Sequence, residues 1–302
     1  MSTAAVTETV GGHQLTFTNL DKVLYPEAGF TKGNVVEYYR AVAPVLLPHL
    51  RGRPLTMKRY PNGVDAQFFY QKEAPKHRPD WVRTCPVSLR SEDRDVNFLV
   101  IGSLPALLWI ANLADIELHV ALSRERSLQR PTALVFDLDP GPPASVIECC
   151  LVAQQVRKLG KRIGLEFFPK TSGSKGLQLY APLRGASFAD TKPFARSVAQ
   201  LLENEHPQLV VSNMRKELRE GKVLVDWSQN DDMKTTVCVY SLRARPQPTV
   251  STPLTWPEVD DAARRDDPSL LVFDAGQVRE RIERHGDLFE PVLKQPQRLP
   301  RL

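Results

Sequence analysis

A short apolar strand, Thr132–Phe136, runs straight into Asp137-Leu138-Asp139-Pro140-Gly141. Side chains of a strand alternate between faces, so Asp137 and Asp139 stand side by side while Leu138 turns into the core. Two such anions repel each other unless a cation lies between them, which is how Mg²⁺ or Mn²⁺ is held. Pro140 and Gly141 end the strand and open the position to solvent. A pair of surface aspartates ahead of a turn is the competing reading. A second apolar strand, Val223-Leu224-Val225-Asp226-Trp227, also carries an acid, which is costly to bury without a partner. Asp226 either pairs with Arg219 or Lys222, or supplies a third carboxylate to the same metals. Three carboxylates and two metals suit in-line phosphoryl transfer.

Around these strands the chain alternates helical and extended patterns without a strict βαβ period, and Gly-x-Gly-x-x-Gly is absent. The pattern predicts an α+β fold with a mixed or antiparallel sheet. Residues 1–12 read as a flexible polar lead-in and 13–20 as a strand. Thr31 caps a helix reaching about His49, in which Pro44 predicts a kink or an early end. Residues 72–95 read as loop, 104–113 as a buried helix and 116–120 as a strand. Ala144–Leu159 reads as a helix with an apolar stripe of Val146, Ile147, Cys150, Leu151 and Leu159. Strands are expected at 165–168, 177–180, 209–211 and 236–240, and a helix from Lys192 to about Glu205.

Thr171-Ser172-Gly173-Ser174-Lys175-Gly176 joins two of these strands. Its small residues let backbone amides approach a phosphate, and Lys175 adds charge. It lacks the Walker A spacing, and a flexible hairpin is an equal reading. The net charge of +5 favours an anionic partner, and basic residues gather at Arg51, Arg53, Lys58 and Arg59, at Arg215, Lys216, Arg219 and Lys222, and at Lys234, Arg243 and Arg245. Phe68 and Phe69 beside the first cluster suit base stacking, or equally the core, with one expected buried and one exposed. His119 is either a structural histidine or a phosphate or metal contact. The four cysteines show no C-x-x-C spacing and read as reduced thiols. With no signal-peptide pattern and no apolar run of ~20 residues, a cytoplasmic enzyme or binding protein without membrane contact is expected.

Together these residues resemble the polymerase domain of bacterial ATP-dependent DNA ligase D, a branch of the archaeo-eukaryotic primase superfamily. The likeness runs from about Leu15 to about Leu288. Its most specific pieces are Asn19-Leu20-Asp21-Lys22-Val23-Leu24-Tyr25-Pro26, Leu134 to Gly141, Thr171 to Gly176, and Val225-Asp226-Trp227-Ser228-Gln229-Asn230. The resemblance implies a primase-polymerase catalytic core carrying an RRM-like sheet, with an N-terminal α/β portion packed against it. The implied division is a catalytic domain over 13–290, with portions at about 13–120, 121–250 and 251–290, then a tail over 291–302.

The resemblance further implies a nucleotidyltransferase that adds ribo- or deoxynucleotides (NTP or dNTP) to a primer in gap filling or non-homologous end joining, with two Mn²⁺ or Mg²⁺ ions. It places catalysis and metal binding on Asp137, Asp139 and Asp226, and nucleotide contacts on His119, Ser172, Lys175, Gln178, Lys234 and Arg243. Lys22 and Lys32 match positions for a 5′-phosphate across a gap. Phe68, Phe69 and Arg59 match template support, and Arg219 is expected at the DNA as well. Partners implied are DNA with gaps, overhangs or double-strand-break ends, the end-binding protein Ku and a DNA ligase. Gln178 stands where relatives usually carry histidine; it donates a hydrogen bond but no positive charge, so Lys170 or Lys175 is expected to supply charge. No ligase or nuclease domain is visible, and an excised domain and a stand-alone relative both remain open. A catalytically weakened DNA-end bridging module is the alternative function; a metal-dependent nuclease explains the acids but not the basic set.

Overall fold

The computed structural model describes residues 5–89 and 94–300. The first elements are β1 (Val6–Val10), β2 (His13–Phe17), β3 (Val23–Tyr25), β4 (Phe30–Thr31), α1 (Lys32–Leu50), β5 (Pro54–Arg59) and β6 (Phe69–Gln71). Next come β7 (Arg83–Ser88), β8 (Asp95–Val100), α2 (Leu104–Asn112), β9 (Asp115–Ala121), β10 (Ser123–Arg124), β11 (Ser127–Pro131) and β12 (Ala133–Pro140). They are followed by α3 (Val146–Ile163), β13 (Phe168–Thr171), β14 (Leu177–Pro182), α4 (Phe188–Glu205), β15 (Val210–Val211), β16 (Val223–Asp226) and β17 (Thr235–Val237). Last are α5 (Trp256–Arg265), α6 (Ala275–His285) and α7 (Pro291–Lys294). The α+β expectation holds.

Two compact units share the chain. The first runs to Ala121 and takes back Thr235–Val250 and Asp274–Gly286; the second holds Leu122–Lys234, Ser251–Phe273 and the segment from Asp287 onward. Each unit is discontinuous in sequence, as β17 returns to pair with β9 in the first.

In the first unit an antiparallel sheet runs β17-β9-β5-β8-β7, with β6 also on β5. Thr31 caps α1 in a reciprocal box with Asn34. The helix passes Pro44 and Pro48 and ends at Leu50, beyond the early end expected. Burial of Val42, Ala43, Leu46 and Leu50 along it outweighs the backbone bonds that the prolines forgo. Two stretches taken for irregular chain are strands. Within the lead-in, β1 pairs antiparallel with β2, through a turn at Gly11 and Gly12, whose φ values of 54° and 82° suit glycine. Within 72–95, β7 pairs residue for residue with β8. Its Pro86 is tolerated because β7 is the last strand of that sheet.

The second unit is built on a mixed sheet in the order β13-β14-β12-β16-β15, with β15 and β16 parallel and the other pairs antiparallel. Leu134, Phe136 and Leu138 of β12 pack with Leu177 and Leu179 of β14 and Val225 of β16 in one core that also holds α3 and α4 side chains. On α3 the buried stripe is Ile147, Cys149, Cys150, Val152, Ala153 and Val156, with Val146 and Leu159 packed against the same core, whereas Leu151, expected in the stripe, is exposed. Helix α4 starts at Phe188 rather than Lys192, because Ser187 and Asp190 form the capping box. Strand β13 lies three residues later than the apolar run 165–168 suggested. The tail is tied down: Gln297 exchanges backbone bonds with Pro182 and Arg184. Cys85, Cys149, Cys150 and Cys238 are all buried. Among the described residues no helix is long and apolar enough to cross a membrane.

Candidate active site

Strand register builds the acidic site. Asp137 stands directly opposite Asp226 on one side and Gln178 on the other, and Gln178 stands opposite Lys170. Directly opposed residues share a face. Lys170, Gln178, Asp137 and Asp226 thus form one row across four strands, on the face away from the Phe136 and Leu138 core. Asp139, two residues along β12, shares that face and is exposed. The pairing of Asp226 with Arg219 or Lys222 that the sequence allowed does not occur. Asp226 Oδ1 accepts from the Ser228 amide (2.8 Å) and hydroxyl (2.6 Å), and Oδ2 accepts from Gln229 Nε2 (2.9 Å). Arg219 instead reaches Asp139, at 3.5 Å. Lys234 donates to the Ser228 hydroxyl, completing a chain to Asp226.

Burial, then the charge of Asp226, pushes the Asp137 carboxyl up to about 6, against the Gln178 hydrogen bond and the charge of Lys170. A carboxylate pair held together in this way, made of hard oxygen donors, suits a divalent cation that removes the repulsion. Among the described residues, however, no three His, Cys, Asp or Glu side chains converge as a metal cluster. Asp137 and Asp226 are the facing pair, and Asp139 is engaged by Arg219.

The Thr171–Gly176 turn lies at the end of β13 and β14. Ser172 Oγ accepts from the amides of Ser174 and Gly176, and Thr171 Oγ1 from that of Gly173. With the Ser172 amide donating to the Gly176 carbonyl at 2.8 Å, this bonding closes the hairpin that joins β13 to β14. Lys175 is exposed at its tip. The loop backbone presses on β12: a Cβ on Gly176 would sit 1.9 Å from the Leu138 carbonyl oxygen. Gly141 is equally constrained, with 1.9 Å to the Arg219 carbonyl oxygen. Buried beneath the loop, Lys170 Nζ donates to Ser251 Oγ at 2.6 Å, and Ser251 Oγ donates to the Thr171 carbonyl at 2.8 Å. Asn230, fully buried, clamps β12 by bonding both the amide and the carbonyl of Val135.

The remaining candidates lie in the first unit. Lys32 is buried and donates to the Thr18 carbonyl at 2.7 Å; burial, then the charges of Lys22 and Arg59, lower its pKa to about 8. Lys22 is exposed and donates to Asn62. Arg59 donates to the Leu113 carbonyl and to Gln71, with its guanidinium 5.1 Å from the Phe69 ring centre. Phe68 and Phe69 are both exposed, at 44% and 42%, so the expected burial of one is not seen. Lys58 sits over the Phe68 ring at 4.4 Å.

His119 and Arg243 meet at a residue the motifs did not single out. Glu117, 2% exposed, accepts from His119 Nε2 (3.0 Å), Lys58 Nζ (3.3 Å), Tyr60 Oη (3.2 Å) and the Ala244 amide (3.1 Å), and pairs with Arg243 Nε at 3.3 Å. Burial opposes its charge, but the His119 bond and the Arg243 and Lys58 charges hold its carboxyl well below the usual range. The available signal was the period of two in Asp115-x-Glu117-x-His119, which places an acid beside His119 on one strand face.

A family model described as the LigD primase-polymerase domain matches residues 31–289. The multifunctional non-homologous end joining DNA repair protein LigD of Mycobacterium tuberculosis (strain H37Rv) is 46% identical over 286 residues, 92% of this chain and 37% of that protein. The bifunctional non-homologous end joining protein LigD of Bacillus subtilis is 32% identical over 289 residues, 95% of this chain and 45% of that protein. The chain thus spans less than half the length of these relatives. Among solved structures, the polymerase domain from Mycobacterium tuberculosis ligase D in complex with DNA superposes with a TM-score of 0.86 at 44% identity, covering 94% of this chain and 99% of that one. The resemblance read from the motifs is confirmed.

Proposed function

The chain belongs to the LigD primase-polymerase domain family, and from that premise we propose that it is a template-dependent nucleotidyltransferase extending primers during gap filling and end joining. The observation that carries this reading is the row of Asp137 facing Asp226, flanked by Gln178 and by the hydrogen-bonded 171–176 loop.

In the proposed reaction the primer 3′-hydroxyl attacks the α-phosphate of a bound NTP or dNTP, and pyrophosphate leaves. Asp137 and Asp226, with Asp139, would hold two Mn²⁺ or Mg²⁺ ions, which when bound supply Lewis-acid stabilisation of the attacking and leaving oxygens. Three donors from Ser228 and Gln229 fix the rotamer of Asp226, the carboxylate assigned nearest the attacking hydroxyl. Ser172, Lys175 and Lys234 are assigned to the triphosphate, with Gln178 donating a hydrogen bond but no charge. His119 and Arg243 are assigned to the nucleotide as well. Lys22 and Lys32 are assigned to a downstream 5′-phosphate, which the crowding of like charges on Lys32 favours. Phe68, Phe69 and Arg59 are assigned to the template and Arg219 to DNA. Ku and a DNA ligase are the partners this role calls for.

The test is extension of a labelled primer across a short gap with a downstream 5′-phosphate, using Mn²⁺ and each nucleotide type. Extension that weakens when the 5′-phosphate is removed supports the reading. Tight binding of the gapped DNA without any extension contradicts it and favours the end-bridging module, a reading that Gln178 alone among the site residues supports.

A further inference from the structure

The Glu117 cluster restricts what His119 can recognise. Glu117 and His119 project from the same face of β9, and His119 Nε2 lies 3.0 Å from Glu117 Oε2. An ionised carboxylate only accepts, so Nε2 carries the proton. The same carboxylate already faces two fixed cations, Lys58 from β5 at 3.3 Å and Arg243 from the segment after β17 at 3.3 Å. The ring of Tyr70, from β6, packs edge-on against the imidazole at 5.9 Å. A third positive charge in this buried group would repel Lys58 and Arg243 with one anion shared among them. In agreement, burial foremost, and then these two cations, lower the His119 pKa despite the pull of Glu117.

We propose that Glu117 is a positioning residue that holds His119 as the neutral Nε2–H imidazole, so that Nδ1 accepts a hydrogen bond from a sugar hydroxyl of the nucleotide and does not contact a phosphate oxygen. A phosphate oxygen is itself only an acceptor, and set against Nδ1 it would leave two lone pairs facing. This inference rests on the nucleotide-binding reading of His119 given above, and narrows it to the sugar, whose hydroxyl a templated polymerase meets on every nucleotide, whereas the N–H donors of the four bases differ in position.

The experiment measures calorimetric binding of ATP, 2′-deoxyATP, 3′-deoxyATP and inorganic tripolyphosphate, with Mn²⁺ and no primer, to the whole chain and to His119→Ala and Glu117→Gln. In the wild type, one deoxy analogue binds about 5- to 10-fold more weakly than ATP, the effect of one hydrogen bond lost at a group left unpaired. Whichever analogue it is identifies the hydroxyl. His119→Ala erases that ratio and leaves tripolyphosphate binding unchanged. Glu117→Gln weakens the ratio without erasing it, because an amide can donate or accept and no longer dictates the tautomer, while a sugar hydroxyl can also accept from Nδ1–H. Equal binding of ATP and both analogues by the wild type overturns the proposal. So does a fall in tripolyphosphate affinity in His119→Ala that matches the fall for ATP. Wild-type protein that binds none of the four removes the nucleotide reading itself, a separate failure.

Discussion

Asp137→Asn should raise the stability of the metal-free protein while abolishing its proposed activity. Its carboxyl titrates at about 6 in the folded chain, against 3.8 for an unperturbed aspartate, because burial and the facing Asp226 both disfavour the charge. The folded state therefore holds its proton longer than the unfolded state. Folding loses stability as pH rises from about 4 through 6, and the full penalty is present above that. A shift of about two units corresponds to roughly 3 kcal/mol. The position is partly open to water, so about 1–3 kcal/mol is the expected range after screening. Asparagine keeps the shape and can still accept from Gln178, but carries no charge. In chelator at pH 7.5, calorimetry should show Asp137→Asn melting about 2–6 °C above wild type. The gap should close as the pH is lowered toward 4. Added Mn²⁺ should reverse the order by stabilising only the wild type. A variant that melts at or below wild type in chelator, with a gap independent of pH, would refute the claim that Asp137 and Asp226 form a strained anion pair.

Three further outcomes follow from named contacts. Gly176→Ala places a Cβ 1.9 Å from the Leu138 carbonyl oxygen, so the loop must shift; about 1–3 kcal/mol of stability and a marked part of ATP affinity should be lost, read by melting and calorimetry. Asn230→Ala leaves the buried amide and carbonyl of Val135 without their partner and should cost about 2–4 kcal/mol in urea unfolding, whereas an unchanged midpoint would show that the clamp contributes nothing. Gln178→His should tighten nucleotide binding by restoring a group able to carry positive charge beside Asp137, and the absence of any gain would remove the significance given to this departure.

Local patterns made the acidic site readable and non-local ones hid the rest. Alternation along β12 was enough to put Asp137 and Asp139 on one face and Leu138 in the core. Placing Asp226 directly opposite Asp137 required the register of β12 and β16, which 82 intervening residues separate and no local pattern encodes. Strands β1 and β7 were missed for the same reason: each is polar or proline-bearing in isolation and becomes a strand through its partner. Glu117 gathers groups from positions 58, 60, 119 and 243, so its role exists only in the folded chain. Leu151, and the one of Phe68 and Phe69 expected to be buried, show the opposite error, apolar residues taken as core that the fold leaves outside.

The central claim is that the facing carboxylates of β12 and β16 carry nucleotidyl transfer, and single-turnover incorporation of one nucleotide into a primed, gapped DNA tests it most directly. Wild type and Asp226→Asn would be compared with saturating Mn²⁺, alongside DNA-binding isotherms for both. The account predicts a rate reduced by at least about 100-fold in Asp226→Asn, with DNA affinity retained. Incorporation within a few-fold of wild type by this variant would contradict it and move the chemistry away from this row.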